Sequence, residues 1–188
     1  MPDGDSNFTN LVASGNLTVS GLATLGSAAL GGGTTGGKPA AGLSDPTTNA
    51  SGTTQNTEYT LNSVTLPANA FNANGRSLQV IAWGTLAANA NAKNLKIYFG
   101  STAVATITGS TANAKDFYIE LVVVRTGSNT QSAVGYIQID TGTAGTMAVN
   151  GALAEADSAA ITIAVKSANT AAAAASGTGK GLVATFGN

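Results

Sequence analysis

The chain has 188 residues, a formal net charge of −1, 43% hydrophobic residues and only 9% charged ones. That is enough apolar material for one ordinary domain plus an appendage. Its eight cations are scattered singly, which argues against nucleic acid as a partner, because phosphate neutralisation drives most such binding. With no cysteine there is no disulfide framework or thiolate metal site. With no histidine the commonest general base near neutral pH and the commonest metal ligand are missing.

The N-terminal stretch MPDGDSNFTN carries Asp3 and Asp5 and shows no basic-then-apolar leader, so no Sec-type signal peptide is expected. Without a leader, the triplets starting at Asn7, Asn16 and Asn49 are read as chance matches to the glycosylation pattern. No basic amphipathic run and no apolar stretch approaching ~20 residues points to a membrane.

Residues 7–30 show a weak six-residue rhythm, LVASGN, LTVSGL, ATLGSA, ALGGGT. Apolar positions within a unit lie two apart, which is strand spacing. One thin strand per unit cannot bury its apolar side alone, so residues 1–30 read as a fibrous arm covered by sibling chains or another protein. Residues 31–57, rich in Gly, Thr, Ser, Asn and Pro, have linker composition. Within them GGGTTGGKP places Gly32, Gly37 and Lys38 as in a phosphate-binding loop. Pro39 stands where that loop needs a magnesium-binding hydroxyl, and no amphipathic helix follows, so the stretch reads as a joint.

Residues 58–188 are β-rich. Strands are expected near 58–66, 78–86, 94–99, 103–108, 117–125, 133–140, 146–150, 160–167 and 181–186, separated by Gly, Asn, Ala and Ser turns. Phe117, Ile119, Leu121 and Val123 alternate with Tyr118, Glu120, Val122 and Val124. Many short alternating strands predict an all-β antiparallel sandwich. The Ala-rich run ANTAAAAASGTG reads as a loop before the last strand.

Candidate chemistry is sparse. IQIDTGTAG contains Asp140-Thr141-Gly142, the tripeptide of aspartic proteases, but it also suits a turn between two strands, and no flap-like segment follows. Asp116 and Glu120 read as solvated charges, on opposite sides of a strand-end pleat or in a turn. Glu155 and Asp157, on one side if extended, could offer two oxygens to calcium, which wants six or more. Trp83 shares a face with Ile81 and reads most simply as core, with an exposed sugar-stacking role as the alternative. Tyr59, Tyr98, Tyr118 and Tyr136 look too dispersed to form a platform. Neither catalysis nor a cofactor or metal is expected.

The segment TLPANAFNANGRSLQVIAWGTLAANANAKNLKIYFGS, together with GNLTVSGLATLG, resembles virion structural proteins of tailed bacteriophages, of the head-decoration (cement), head-fibre and fibre-tip type. The resemblance covers roughly 57–186 for the tip and 14–30 for the arm. It implies a β-sandwich tip on an N-terminal β-repeat arm, carried on a capsid or tail; the chain is expected to form a jelly-roll-like sandwich on an extended arm, assembled in the host cytoplasm and displayed on the capsid surface. Its implied partners are its own copies, as a homotrimer, and the major capsid protein, which it would reinforce. The residues expected to make capsid or oligomer contacts are Phe8, Leu11, Val12, Leu17, Val19, Leu22 and Leu25. A fibre tip recognising a host-surface glycan is the alternative.

Overall fold

The alternation read in the sequence builds two antiparallel sheets. The structure, a computed structural model, describes residues 43–140 and 146–187, with only the backbone of 149–151. The chain divides into two units, Met1–Gly31 and Gly32–Asn188, and every described residue belongs to the second. Its strands are β1 (Leu43–Asp45), β2 (Asn49–Ala50), β3 (Tyr59–Leu66), β4 (Ser77–Leu86), β5 (Lys93–Phe99), β6 (Thr102–Ser110), β7 (Asp116–Gly127), β8 (Thr130–Ile139), β9 (Thr146–Leu153), β10 (Ile161–Asn169) and β11 (Gly177–Gly187).

Seven strands form the larger sheet, in the order β1-β11-β4-β7-β8-β9 with β2 also on β11; the smaller sheet runs β3-β10-β5-β6. The protein is therefore all-β and sandwich-like among its described residues, as the alternation required. The second-to-last strand pairs with the first long one, β3, and the last with the next, β4. Such distant pairings give Greek-key connectivity.

Period two sorts each strand into an inner and an outer face. On β7, Phe117, Ile119, Leu121 and Val123 are buried while Asp116, Tyr118 and Glu120 turn outward. Leu78, Val80, Ala82 and Leu86 of β4 continue that inner layer. Leu61, Leu66, Leu95, Ile97, Phe99, Ile161, Ile163 and Val165 face it from the smaller sheet. Phe71 closes one part of the core, edge-on to Phe99 at 5.7 Å between centroids and tilted against Phe186. Gly135 lets the sheets approach: a Cβ there would sit 2.8 Å from the Cβ of Ala105.

Composition misled on one segment. Residues 43–50, read as linker, form β1 and β2 on the edge of the larger sheet. Side chains fasten them. Asn62 Nδ2 donates to Thr47 O at 2.9 Å, Ser63 N donates to Asp45 Oδ2 at 2.9 Å, and Ser176 N donates to Ser51 Oγ at 2.7 Å. The burial of Asp45 acts to raise its carboxyl pKa, but bonds from Thr47, Ser63 and Asn62 outweigh it and hold the pKa below its ordinary value. The Ala-rich run before β11 forms bends, not a helix, as its Asn and Gly flanks suggested.

Candidate functional site

The outward positions of the larger sheet gather the exposed large apolar side chains found among the described residues. Trp83 is 41% exposed, Tyr118 39%, Val183 38% and Met147 68%. Strand register explains why they meet. Val183 opposes Ile81, Ile81 opposes Glu120, Glu120 opposes Tyr136, and Tyr136 opposes Met147, one row across five strands. In the next row Trp83 opposes Tyr118, and Tyr118 opposes Gln138. On the other side of the first row lie Gln79, Val122 and Val134. Trp83, Tyr118 and Tyr136 thus form a diagonal track; two strand spacings and a two-residue offset make it about 12 Å long.

A glycine sets the Trp83 side chain. Gly181 opposes Trp83, and a Cβ on it would lie 2.5 Å from Cζ2 and 2.8 Å from Cη2 of the indole. The six-membered ring therefore occupies the space over Gly181. A glycine across from an aromatic lets the ring cover bare backbone, a known stabilising arrangement in sheets. A bulge between Gly179 and Gly181 accompanies this approach.

Polar groups are set among these rings. Gln79 Nε2 donates to Glu120 Oε1 at 2.9 Å, and the Tyr136 hydroxyl donates to Gln138 Oε1 at 2.9 Å. At the end of the face Thr85 Oγ1 donates to Asp116 Oδ1 at 2.6 Å, with Lys180 Nζ 3.3 Å away. The Thr85 hydroxyl, then Lys180, hold the Asp116 carboxyl below its ordinary pKa. Burial, then the Glu120 charge, push the Tyr118 phenol up, so it stays a protonated donor at neutral pH. Beside Gln79 a depression of about 340 Å³ is lined by Ser77, Leu78, Val122, Thr185, Phe186 and Gly187 as well.

Trp83 is thus a surface residue, not a core one. It shares a face with Ile81 as its spacing required, but that face is the outer one. Asp116 and Glu120 lie on the same face, four residues apart on β7, not on opposite sides. The tyrosines also divide differently from the sequence reading. Tyr118 and Tyr136 come together beside Trp83, whereas Tyr59 and Tyr98 belong to the smaller sheet. The signal was available in part: Trp83, Tyr118 and Tyr136 each occupy the less apolar phase of their strands.

Glu155 and Asp157 serve the scaffold. Asp157 Oδ2 accepts from Arg125 Nε at 2.9 Å and Asn129 N at 2.8 Å, and Oδ1 accepts from Gln131 Nε2 at 3.0 Å. Burial acts to raise the Asp157 pKa, but these donors outweigh it and keep the carboxyl below its ordinary value. Glu155 Oε1 accepts from Ser101 N at 2.7 Å and Ser101 Oγ at 2.8 Å. No grouping of three or more metal-ligating side chains occurs among the described residues. Lys93, fully buried, donates Nζ to the carbonyls of Asn89, Asn91 and Ala112 at 2.6–3.0 Å. Burial pulls its pKa down, while three acceptors match the three donors of an ammonium. It clamps the loop after β4 to the loop after β6.

Asp140 directly follows β8, and its N–H donates to Asp116 O at 2.9 Å. Thr141 and Gly142 lie outside the described residues; β8 and β9, on either side of 141–145, pair antiparallel. Phe8, Leu11, Val12, Leu17, Val19, Leu22 and Leu25 of the arm, and the Gly31–Pro39 joint, also lie outside the described residues.

No family model matches this chain, and neither does any curated protein. Among solved structures it is similar to the CBM2 module of the evolved Dit of Lactobacillus casei BL23 phage J-1. The identity is 13% and the TM-score 0.32, with 65% of this chain and 66% of that one covered.

Proposed function

We propose that this protein is a structural component of a tailed-phage particle, displayed as a homo-oligomer, whose sandwich recognises a glycan through the outer face of its larger sheet. The observation that carries the reading is the aromatic track Trp83–Tyr118–Tyr136 with Glu120 and Gln79 beside it. A sugar ring has an apolar face of C–H groups and a rim of hydroxyls. Aromatic side chains with one apolar and one wet side suit the first; amides and a carboxylate suit the second. The N-terminal arm is proposed to fix the module to the particle through Phe8, Leu11, Val12, Leu17, Val19, Leu22 and Leu25, and no catalytic role is proposed. The resemblance to decoration and fibre-tip proteins supports the placement on a virion.

A second reading, a capsid-decoration protein whose copies meet through this same face, is favoured by Met147 and Val183 at the two ends of the apolar row. Glu120 in the middle of that row argues against it. Interface cores are depleted of charge, and closing a copy over an unpaired carboxylate is costly.

Trp83 is the sole tryptophan, so its fluorescence reports on the face directly. Titrating the full chain with soluble polysaccharides should shift that emission. Trp83→Ala should abolish binding in calorimetry while leaving the oligomeric state unchanged, with Tm lowered only by the loss of the ring's cover over Gly181. If Trp83→Ala instead dissociates the oligomer and no polysaccharide binds the wild type, the decoration reading replaces the glycan reading.

A further inference from the structure

We infer, resting on the glycan reading above, that the ligand is an uncharged glycan chain and that Glu120, held in place by Gln79, is the residue that selects it.

The outward positions of the larger sheet carry two carboxylates, Asp116 and Glu120, and one cation, Lys180, among the described residues. Lys180 lies 3.3 Å from Asp116, whose carboxylate offsets its charge at the end of the face. Arg125, also on β7, is spent on the partly buried Asp157 at 2.8 Å. Among the described residues of these strands Lys180 is thus the one outward cation, and a neighbouring carboxylate already offsets it, so the face holds no net positive charge for a uronate, sialate or phosphate group. A carboxylate stands beside the aromatic track instead: Glu120 is the direct neighbour of Tyr136 and lies two residues from Tyr118.

The carboxylate is also fixed. Gln79 Nε2 occupies Oε1, leaving Oε2 to accept a hydroxyl. The same bond aims the Gln79 amide, whose oxygen is then an acceptor at the rim of the 340 Å³ depression. Gln138, whose Oε1 is taken by Tyr136, keeps its amide N–H groups as donors. A hydroxyl-rich chain lying on the track finds acceptors along one flank and a donor on the other. An anionic chain in the same place meets Glu120 across a few ångströms, where unit charges repel appreciably even near a surface. Salt shortens that repulsion, since the Debye length falls from about 10 Å at 0.1 M to about 3 Å at 1 M.

The test titrates the full chain, by calorimetry and tryptophan emission, with neutral probes (mannan, galactomannan, hydroxyethyl cellulose) and acidic ones (polygalacturonate, polysialic acid). Neutral probes should bind, and acidic ones should bind at least tenfold more weakly at low salt. High salt and Glu120→Gln should each narrow that gap, whereas Gln79→Glu, adding a second acid, should widen it. Tm of each variant confirms folding, and either variant alone suffices. Acidic probes bound as tightly as neutral ones, in a Trp83-dependent way, overturn this inference and leave the glycan reading intact. Trp83-dependent binding of neither class overturns both.

Discussion

The two outer faces of the sandwich are built by the same alternation and do opposite things. On the larger sheet the outward positions hold Trp83, Tyr118, Val183 and Met147, well exposed. On the smaller sheet they hold Thr65 against Thr162, and Lys96, Tyr98 and Lys166 in a closed cluster with Glu58, which directly precedes β3. Lys96 Nζ meets Glu58 Oε1 at 2.5 Å, the Tyr98 hydroxyl donates to Glu58 Oε2 at 2.9 Å, and Lys166 Nζ sits 4.6 Å over the Tyr98 ring. An aromatic ring is present on both faces, but on the smaller sheet its hydroxyl and its π-face are already satisfied from within. Exposed aromatics with unspent surface mark interaction sites; those capped by neighbouring charges do not.

The most drastic way to break this contrast is to weaken the scaffold behind the larger sheet. Asp157→Ala would strand Arg125 and Gln131, and breaking a buried pair of this kind costs about 3–5 kcal/mol. Chemical denaturation should show that loss at neutral pH, with both faces lost together. The pH dependence has a fixed sign. The Asp157 carboxyl is held below its ordinary pKa, so its contribution is present above about pH 4 and fades as pH falls through the lower folded value. Asp157→Asn should flatten the acid limb of the wild-type stability curve. An acid limb unchanged in that variant would show that the pair contributes nothing.

A middle-sized effect comes from Gly181. Gly181→Val suits a strand by propensity, yet its side chain must evict the Trp83 ring, which lies 2.5 Å from the position of the added Cβ. Affinity for polysaccharide should fall about tenfold, or ~1.4 kcal/mol, with a shift in the emission of Trp83. Unaltered affinity would mean that the indole's position over β11 is irrelevant to the face.

The strands themselves were legible in the sequence, because alternation such as that from Phe117 to Val124 has no helical reading. What alternation cannot give is which phase faces inward. On β4 the phases are Leu78, Val80 and Ala82 against Ile81 and Trp83; on β7 the run Val122-Val123-Val124 is apolar on both. A one-residue choice reverses a whole strand, and the large indole tipped the sequence reading toward burying the wrong phase. The track was hidden for a second reason. Tyr118 and Tyr136 are 18 residues apart and 35 or more from Trp83, and only strand order makes them neighbours. Strands β1 and β2 were illegible because LSD and NA carry no pattern; their identity comes from pairing with β11, well over a hundred residues away.

The smallest effect sharpens the contrast most. Tyr98→Phe on the smaller sheet keeps the ring beneath Lys166 but removes the hydroxyl that donates to Glu58. The burial of Glu58 acts to raise its pKa; Lys96, Tyr98 and Lys166 more than compensate. Losing one of several donors to a partly exposed carboxylate should cost under about 1 kcal/mol of stability. Polysaccharide affinity should not move, because the altered group lies on the opposite sheet. Tyr118→Phe makes the same chemical change on the larger sheet, where Tyr118 is an exposed member of the proposed binding track. It should weaken binding a few-fold and leave Tm alone. The pair of variants, read side by side in calorimetry and thermal melts, exchanges stability for affinity as the hydroxyl is deleted from one face or the other. If Tyr98→Phe lowers affinity as much as Tyr118→Phe does, the two faces are not functionally distinct and binding is not localised where the exposed rings are.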